Sequence, residues 1–260
     1  CLLCLRGHDC LGGVMIVKCI VAYDGSMYCG WQVQPGSPSI QETIEKALKK
    51  MHKREVIIVG SGRTDTGVHA LGQVFHFETE LKLTPFHWCA AINRLLPKSI
   101  RIQDAQVMPD DFHARFDVVS KRYDYYVTRD VDNPFIQNYM GKERRELDLE
   151  AMQECASIFV GTHDFTSFTS NKIHAEKSRV RTITRVEAEA YESGVRMIFE
   201  GDGFLRYQVR MMAQTLIEAG LHHEDKDSIL KMLEAKDKHA CHYKAEACGL
   251  YLVKVNYEEE

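Results

Sequence analysis

Gly60-Ser-Gly-Arg-Thr-Asp-Thr-Gly67 interrupts two runs that read as strands, 55–59 ahead of it and 73–79 behind it. The first run is short and apolar, and the second alternates apolar with polar residues, the period of a strand with one buried face. A glycine-rich stretch between two strands is a loop. Gly60, Gly62 and Gly67 let its backbone turn tightly, or let a ligand come close to it.

Working outward, 16–23 is a β-branched apolar strand, and 28–34 carries a further strand signal before the Pro35-Gly-Ser-Pro38 breaker. Ser39-Ile-Gln-Glu42 has the spacing of a capping box. It opens a helix with Ile40, Ile44, Ala47, Leu48 and Met51 on one face. A helix over 86–95 is stopped by Pro97, and 100–107 is a strand. Beyond it, 122–128 is an aromatic strand, and Asp148 caps a helix bearing Ala151, Met152, Cys155, Ile158 and Phe159. Strands over 182–191 and 195–200, a long helix over 204–219 and a strand over 249–257 complete the chain. Both halves mix strands and helices without strict βαβ alternation, which predicts an α+β fold with a mostly antiparallel sheet and helices on one face. The joint near 108–111 has no Gly- or Ser-rich linker, so 15–108 and 109–260 are expected to share one continuous sheet. Residues 1–14 read as an N-terminal extension outside the fold, with Met15 as the natural start.

The 260 residues are 45% hydrophobic and 27% charged, which excludes disorder as the main state. No apolar run approaches the roughly 20 residues of a membrane-spanning helix. The run 16–23 is already interrupted by Lys18. Nine cysteines, an odd number scattered through apolar segments, argue for buried thiols in a reducing cytoplasm rather than a disulfide framework. Cys1, Cys4, His8 and Cys10 crowd the terminus, but no second CxxC answers them, and no metal is expected. The net charge is −4, so binding to nucleic acid would need positive charge concentrated locally.

Two groups of bases meet that need. Lys172, Lys177, Arg179, Arg181 and Arg185 stand against Glu176 alone. Arg115, Lys121, Arg122 and Arg129 interleave with Phe112, Phe116, Tyr123, Tyr125 and Tyr126. Bases meet phosphates and aromatic faces stack nucleobases, although such runs equally form solvated faces. The stretch 224–260, with six lysines against nine acids, is acidic.

Within the glycine-rich loop, Arg63 stands two residues from Asp65, and an arginine beside a carboxylate keeps it ionised. An ionised carboxylate on a rigid loop suits nucleophilic or base chemistry. The same pair also suits an Asx turn with a surface ion pair. His69 reads as a half-buried structural histidine. In Phe204-Leu-Arg-Tyr-Gln-Val-Arg-Met-Met212, Arg206 and Arg210 are expected on one helical face. An arginine on that apolar stripe either wants a buried carboxylate or lies exposed at the stripe edge. Phe165 and Phe168 read as core.

These stretches, taken in order, resemble the TruA family of tRNA pseudouridine synthases. The similarity is densest in Gly62-Arg-Thr-Asp-Thr-Gly-Val-His-Ala70. It continues through Tyr23-Asp-Gly25, Gly30-Trp-Gln32, Ser39-Ile-Gln41, Phe112-His-Ala-Arg-Phe116, Lys121-Arg-Tyr123, the GxHDFxxF segment from Gly161 to Phe168, Lys177-Ser-Arg-Val-Arg-Thr182 and Gly249-Leu-Tyr-Leu252. Two positions depart from the family pattern: Met211 replaces a frequent asparagine, and Ala245-Glu-Ala247 replaces Ala-Pro-Ala.

The resemblance implies isomerisation of uridine to pseudouridine at positions 38, 39 and 40 of the tRNA anticodon arm, without cofactor or metal. It implies Asp65 as the catalytic aspartate, Tyr123 stacking on the target base, and Arg63 and Arg210 around the aspartate, the latter as its buried ion-pair partner. Leu205 is expected at the substrate, and Lys121, Arg122, Lys177, Arg179 and Arg181 on the tRNA. Two similar halves with a basic cleft between them, and a cytoplasmic homodimer gripping one tRNA, complete the expectation. A catalytically silent tRNA-binding protein is the rival reading, against which Asp65 argues. A zinc nucleobase deaminase would need an HxE with PCxxC, and the chain has neither.

Overall fold

Val17, Cys19, Val21 and Tyr23 alternate with less buried neighbours along the first strand, β1 (Met15–Tyr23), so one face of it points into the core. The structure, a computed structural model, describes residues 13–170 and 178–258. The Cys1–Cys10 cluster and residues 1–12 of the expected extension lie outside the described residues, as do Lys172 and Lys177.

The chain continues through helix α1 (Ile40–His52), β2 (Val59–Gly60), β3 (His69–Thr79), α2 (Pro85–Leu95), β4 (Ile100–Met108), β5 (Val118–Thr128) and β6 (Gly141–Lys142). Then come α3 (Leu149–Ala156), β7 (Gly161–Asp164), β8 (Val180–Tyr191), β9 (Gly194–Gly201), α4 (Gln208–Gly220), α5 (Lys226–Ala235) and β10 (Leu250–Tyr257). A single ten-stranded sheet runs β4-β1-β3-β10-β5-β9-β8-β7, with β2 added to β3 and β6 to β5. Its long ladders are antiparallel; β6 joins β5 by a short parallel pairing, and another between β3 and β10 aligns His69 with Tyr251 and Ala70 with Leu252. Strands from either side of residue 108 therefore share the sheet.

Register carries one apolar row across the seam. Tyr23, Ala70, Leu252, Tyr123, Phe199 and Val186 stand opposite one another on consecutive strands, and all are buried. The helices cover this face. Ser39 caps α1 by accepting from the Glu42 amide, Thr84 and Pro85 start α2, and Asp148 caps α3 by accepting from the Glu150 and Ala151 amides. Trp88 of α2 meets Phe77 edge-on at 5.3 Å, and Met212 and Leu216 of α4 are fully buried. Among the described residues no helix is long and apolar enough to cross a membrane.

Four local expectations need correction. The stretch 28–34 is a turn, not a strand, and its one ladder-like contact is an isolated bridge from Gln34 to Ser37. Two of its backbone groups bond the glycine-rich loop instead: Trp31 N donates to Thr64 O at 3.1 Å, and Tyr28 O accepts from Gly67 N at 3.3 Å. Of 55–59 only Val59 belongs to a strand, while β3 starts earlier than its alternation suggests. The helix expected from Phe204 begins at Gln208, because Tyr207 takes a left-handed conformation at φ 67°. Helix α5 has no counterpart in the sequence reading, which took 224–260 for its charge alone. A capping box of Asp225 with Ser228, and the buried Ile229 and Leu233, make it a helix.

Gly30 joins this turn to the glycine-rich loop. It sits at φ +86°, and a Cβ there would lie 2.5 Å from the Thr64 carbonyl oxygen and 3.0 Å from the Asp65 carbonyl carbon. We expect Gly30→Ala to cost about 1–3 kcal/mol in backbone strain alone. It should lower the melting temperature by several degrees and reduce activity at temperatures where the variant is still folded. An unchanged melting curve and turnover would refute the bracing role of this turn.

Candidate active site

The loop between β2 and β3 is fastened on every side except the one Asp65 faces. Ser61 N donates to Val74 O at 2.7 Å, and its hydroxyl donates to Gln73 Oε1 at 2.6 Å. Gln73 Nε2 returns to Gly62 O at 3.2 Å. The Tyr23 hydroxyl pairs with that of Thr64 at 2.8 Å, and the loop closes on itself through Val68 N and Asp65 O at 3.2 Å. From β5, Lys121 Nζ donates to Ser61 O at 2.8 Å. A Cβ at Gly62 would meet that ammonium at 2.6 Å, so a side chain there would displace the lysine tip from its carbonyl. Burial, reinforced by the charge of Arg115, pushes the Lys121 ammonium down to about 8.

Asp65 is a quarter exposed, at 26% of its side chain. Its cations come from the other half of the chain. Arg210 Nη1 lies 3.7 Å from Oδ2 and Arg206 Nε 3.9 Å from Oδ1. These are ion pairs without direct hydrogen bonds, which leaves the carboxylate lone pairs free for a substrate. Burial pushes the Asp65 carboxyl above the ordinary aspartate value, and Arg210, Arg206 and Lys244, in that order, hold the rise back. Arg210 is itself positioned by donating Nε to Ala245 O at 2.8 Å.

The arginine expected to keep Asp65 ionised from within the loop does not do so. Arg63 is exposed, and its charge is not among those that hold the Asp65 carboxyl down. Residues distant in sequence supply the charge instead. Arg206 and Arg210 do converge on Asp65, though not as two turns of one helix face, since Arg206 precedes α4.

Tyr123 lies beside Asp65 on the covered face of β5. It is 9% exposed and meets Phe204 edge-on at 5.2 Å. Burial pushes its phenol up, with Tyr23 and Asp65 adding to the rise, so it stays protonated across the physiological range. Leu205 packs against the core at the entry to α4, its amide donating to Gln208 Oε1 at 2.8 Å. Arg122, one residue from Tyr123, points to the opposite face of the sheet, where its Nε donates to the buried Asp124 at 2.9 Å. Arg181 lies beside Gly203 and donates to the carbonyls of Ser178 and Val180. Arg179 is half-buried next to it. Lys177 lies outside the described residues. His69 is structural: Nδ1 accepts from Gly25 N at 3.1 Å, Nε2 donates to Asn138 O at 2.9 Å, and burial pushes it down, towards the neutral form.

Sequence reasoning missed Lys244 and Tyr207. The Tyr207 ring lies 4.9 Å from Lys244 Nζ, and nothing in the local pattern of either residue marks it. Among the described residues no group of three or more His, Cys, Asp or Glu side chains could hold a metal ion.

The chain matches known proteins along nearly its whole length. The family model described as tRNA pseudouridine synthase matches residues 19–117 and 155–258. A tRNA pseudouridine synthase A of Oceanobacillus iheyensis is 43% identical over 245 residues, covering 94% of this chain and 97% of its own. One from an Exiguobacterium species is 46% identical over 245 residues, covering 94% and 98%. That of Bacillus subtilis is 42% identical over 247 residues, covering 94% and 100%. With a loop carboxylate, an aromatic face and converging cations in one site, and with matches of this extent, the chain belongs to the TruA family of tRNA pseudouridine synthases.

Proposed function

We propose that the protein isomerises uridine to pseudouridine in the tRNA anticodon arm, at positions 38, 39 and 40, with Asp65 as the catalytic carboxylate. The observation that carries this reading is a carboxylate on a braced loop, flanked by a buried tyrosine and faced by cations that form no direct hydrogen bond to it. Tyr123 is the stacking surface for the target base, and Leu205 with Phe204 borders it. Arg210 holds the carboxylate, and Arg63, exposed on the same loop, is placed to meet the RNA. Lys121, Arg122, Lys177, Arg179 and Arg181 remain the proposed tRNA contacts. Among them, Lys121 and Arg122 also have protein partners, the Ser61 carbonyl and Asp124. The reading includes a cytoplasmic homodimer that holds one tRNA, halves spanning 15–108 and 109–260, and no cofactor.

The chemistry explains the arrangement. The glycosidic bond must break and the base must turn before its carbon re-bonds to the ribose. A base stacked in an RNA helix cannot turn, so it is flipped out at a cost of a few kcal/mol. Stacking on an aromatic face returns about 1–3 kcal/mol. Three routes are open to the carboxylate: attack on the ribose carbon, addition to the base ring, and removal of a ribose proton on the way to a glycal-like intermediate. All three require it ionised.

Asp65→Asn removes charge and not bulk. Turnover of tritiated-uridine tRNA should fall by more than about 5 kcal/mol in barrier, several thousand-fold, while tRNA affinity stays within a few fold. Near-normal turnover would remove Asp65 from the reaction. For Tyr123, the alanine variant should lose far more rate than the phenylalanine variant, because the ring face and not the hydroxyl supports the base. Equal losses would assign the role to the hydroxyl.

The acid limb of kcat/KM reports the free enzyme's essential base. Since burial raises the Asp65 carboxyl, that limb should lie above the ordinary aspartate value of about 3.9. Arg210 is the largest influence opposing the rise. Arg210→Met should therefore raise the carboxyl further and move the limb to higher pH. A limb that stays in place, or moves down, would contradict this electrostatic account.

A further inference from the structure

Three cations gather on one aromatic ring beside Asp65. The guanidinium carbons of Arg206 and Arg210 lie 4.7 and 5.4 Å from the Tyr207 ring centroid, and Lys244 Nζ lies 4.9 Å from it. Arg206 Nη2 also donates to the Tyr207 hydroxyl at 2.9 Å. Like charges brought this close repel. The electron-rich ring face offsets part of that repulsion, and Asp65 can neutralise only one of the three.

The three cations are not equivalent. Arg210 is 12% exposed, paired to Asp65 and tied to Ala245 O. Arg206 is 51% exposed and only loosely paired to Asp65, at 3.9 Å. Lys244 is exposed, and among the described residues its ammonium has no hydrogen bond or ion pair. Tyr207, the hub, sits at φ 67° with no side-chain cap bond to α4. A left-handed tyrosine is a strained residue, and such strain persists where the surroundings impose it, often at functional sites. Here the strained backbone directs the ring under the cations. The excess positive charge therefore faces solvent at the rim of the site.

We propose that Lys244, Arg206 and the Tyr207 ring form a clamp for a backbone phosphodiester of the RNA, at a linkage flanking the target uridine. The clamp rests on the reading of Asp65 as the carboxylate that acts on an RNA uridine. A phosphodiester has the single negative charge and the acceptor oxygens that the two outer cations lack. Binding it would leave one anion for the outer pair and one for Arg210, and would fix the ribose-phosphate backbone while the base turns over Asp65. Phosphate contacts of this kind position a nucleic acid without reading its sequence.

The test uses the whole protein and a short anticodon-arm RNA hairpin. It compares unmodified RNA with RNA carrying a single methylphosphonate, which has no charge, at one linkage flanking the target uridine and then at the other. Lys244→Ala should weaken binding of the unmodified hairpin several-fold. It should also flatten the slope of log affinity against log salt by about 0.7–0.9, the contribution of one neutralised phosphate. Lys244→Arg should restore both. At one of the two linkages the methylphosphonate should weaken the unaltered protein by a similar factor and leave Lys244→Ala no weaker. The clamp is overturned if Lys244→Ala leaves the salt slope unchanged and moves only the acid limb of the pH profile, which would make Lys244 a partner of Asp65 alone. It is equally overturned if the two defects multiply at both linkages. Failure of the unaltered protein to form pseudouridine in the unmodified hairpin overturns the functional reading itself, whatever the binding shows.

Discussion

A carboxylate held partly out of water needs cations, and Asp65 draws its leading compensation from across the sheet. Its own strand pair supplies rigidity but no positive charge. Arg210, Arg206 and Lys244 come from the entry to α4 and from the segment before β10. The short parallel seam between β3 and β10 makes this possible. His69 and Ala70, directly after the loop, align with Tyr251 and Leu252, directly after the segment that carries Lys244 and Ala245. Weakening that seam would separate the carboxylate from its cations without altering any residue of the site.

The balance at Asp65 is a compromise between two demands. Enough positive charge must remain near for the carboxylate to ionise at neutral pH. Yet a cation bonded directly to both oxygens would occupy the lone pairs that the proposed reaction uses. Ion pairs at 3.7 and 3.9 Å meet both demands, since Coulomb attraction persists at that range and hydrogen bonding does not. Holding that spacing requires both sides to be stiff. The loop is stiffened by Ser61, Thr64, Gln73 and Lys121, and Arg210 by its bond to the Ala245 carbonyl.

Alternation along β5 separates two electrostatic jobs. Lys121 and Tyr123 point to the covered face, toward the loop and Asp65. Arg122 and Asp124 point the other way, where Asp124 is 1% exposed and accepts from both Arg122 and Arg196. Removing one member of such a buried group leaves an uncompensated charge, which makes it costly to alter. Neighbouring residues in one basic, aromatic stretch thus serve different sides of the sheet, and composition alone could not divide them.

Much of this protein was legible in its residues. The glycine-rich loop between strands, the caps of α1 and α3 and the apolar strand faces all rest on local patterns, because turns, caps and strand alternation act over a few residues. A carboxylate partner for Arg210 is one of two readings that its apolar stripe allows, the other being exposure at the stripe edge. What the sequence could not show is decided by long-range geometry. Arg63, two residues from Asp65, is not among the charges that hold its carboxyl down, while the distant Lys244 is. The run 28–34 is strand-like in composition but turns, and Trp31 N and Tyr28 O bond the loop rather than a neighbouring strand. Tyr207 breaks a helical pattern that continues through it, and that single left-handed residue gathers three cations on one ring. Local propensity sets what each segment can become; which charges meet is set only when sheet register and the packing of α4 bring distant residues together.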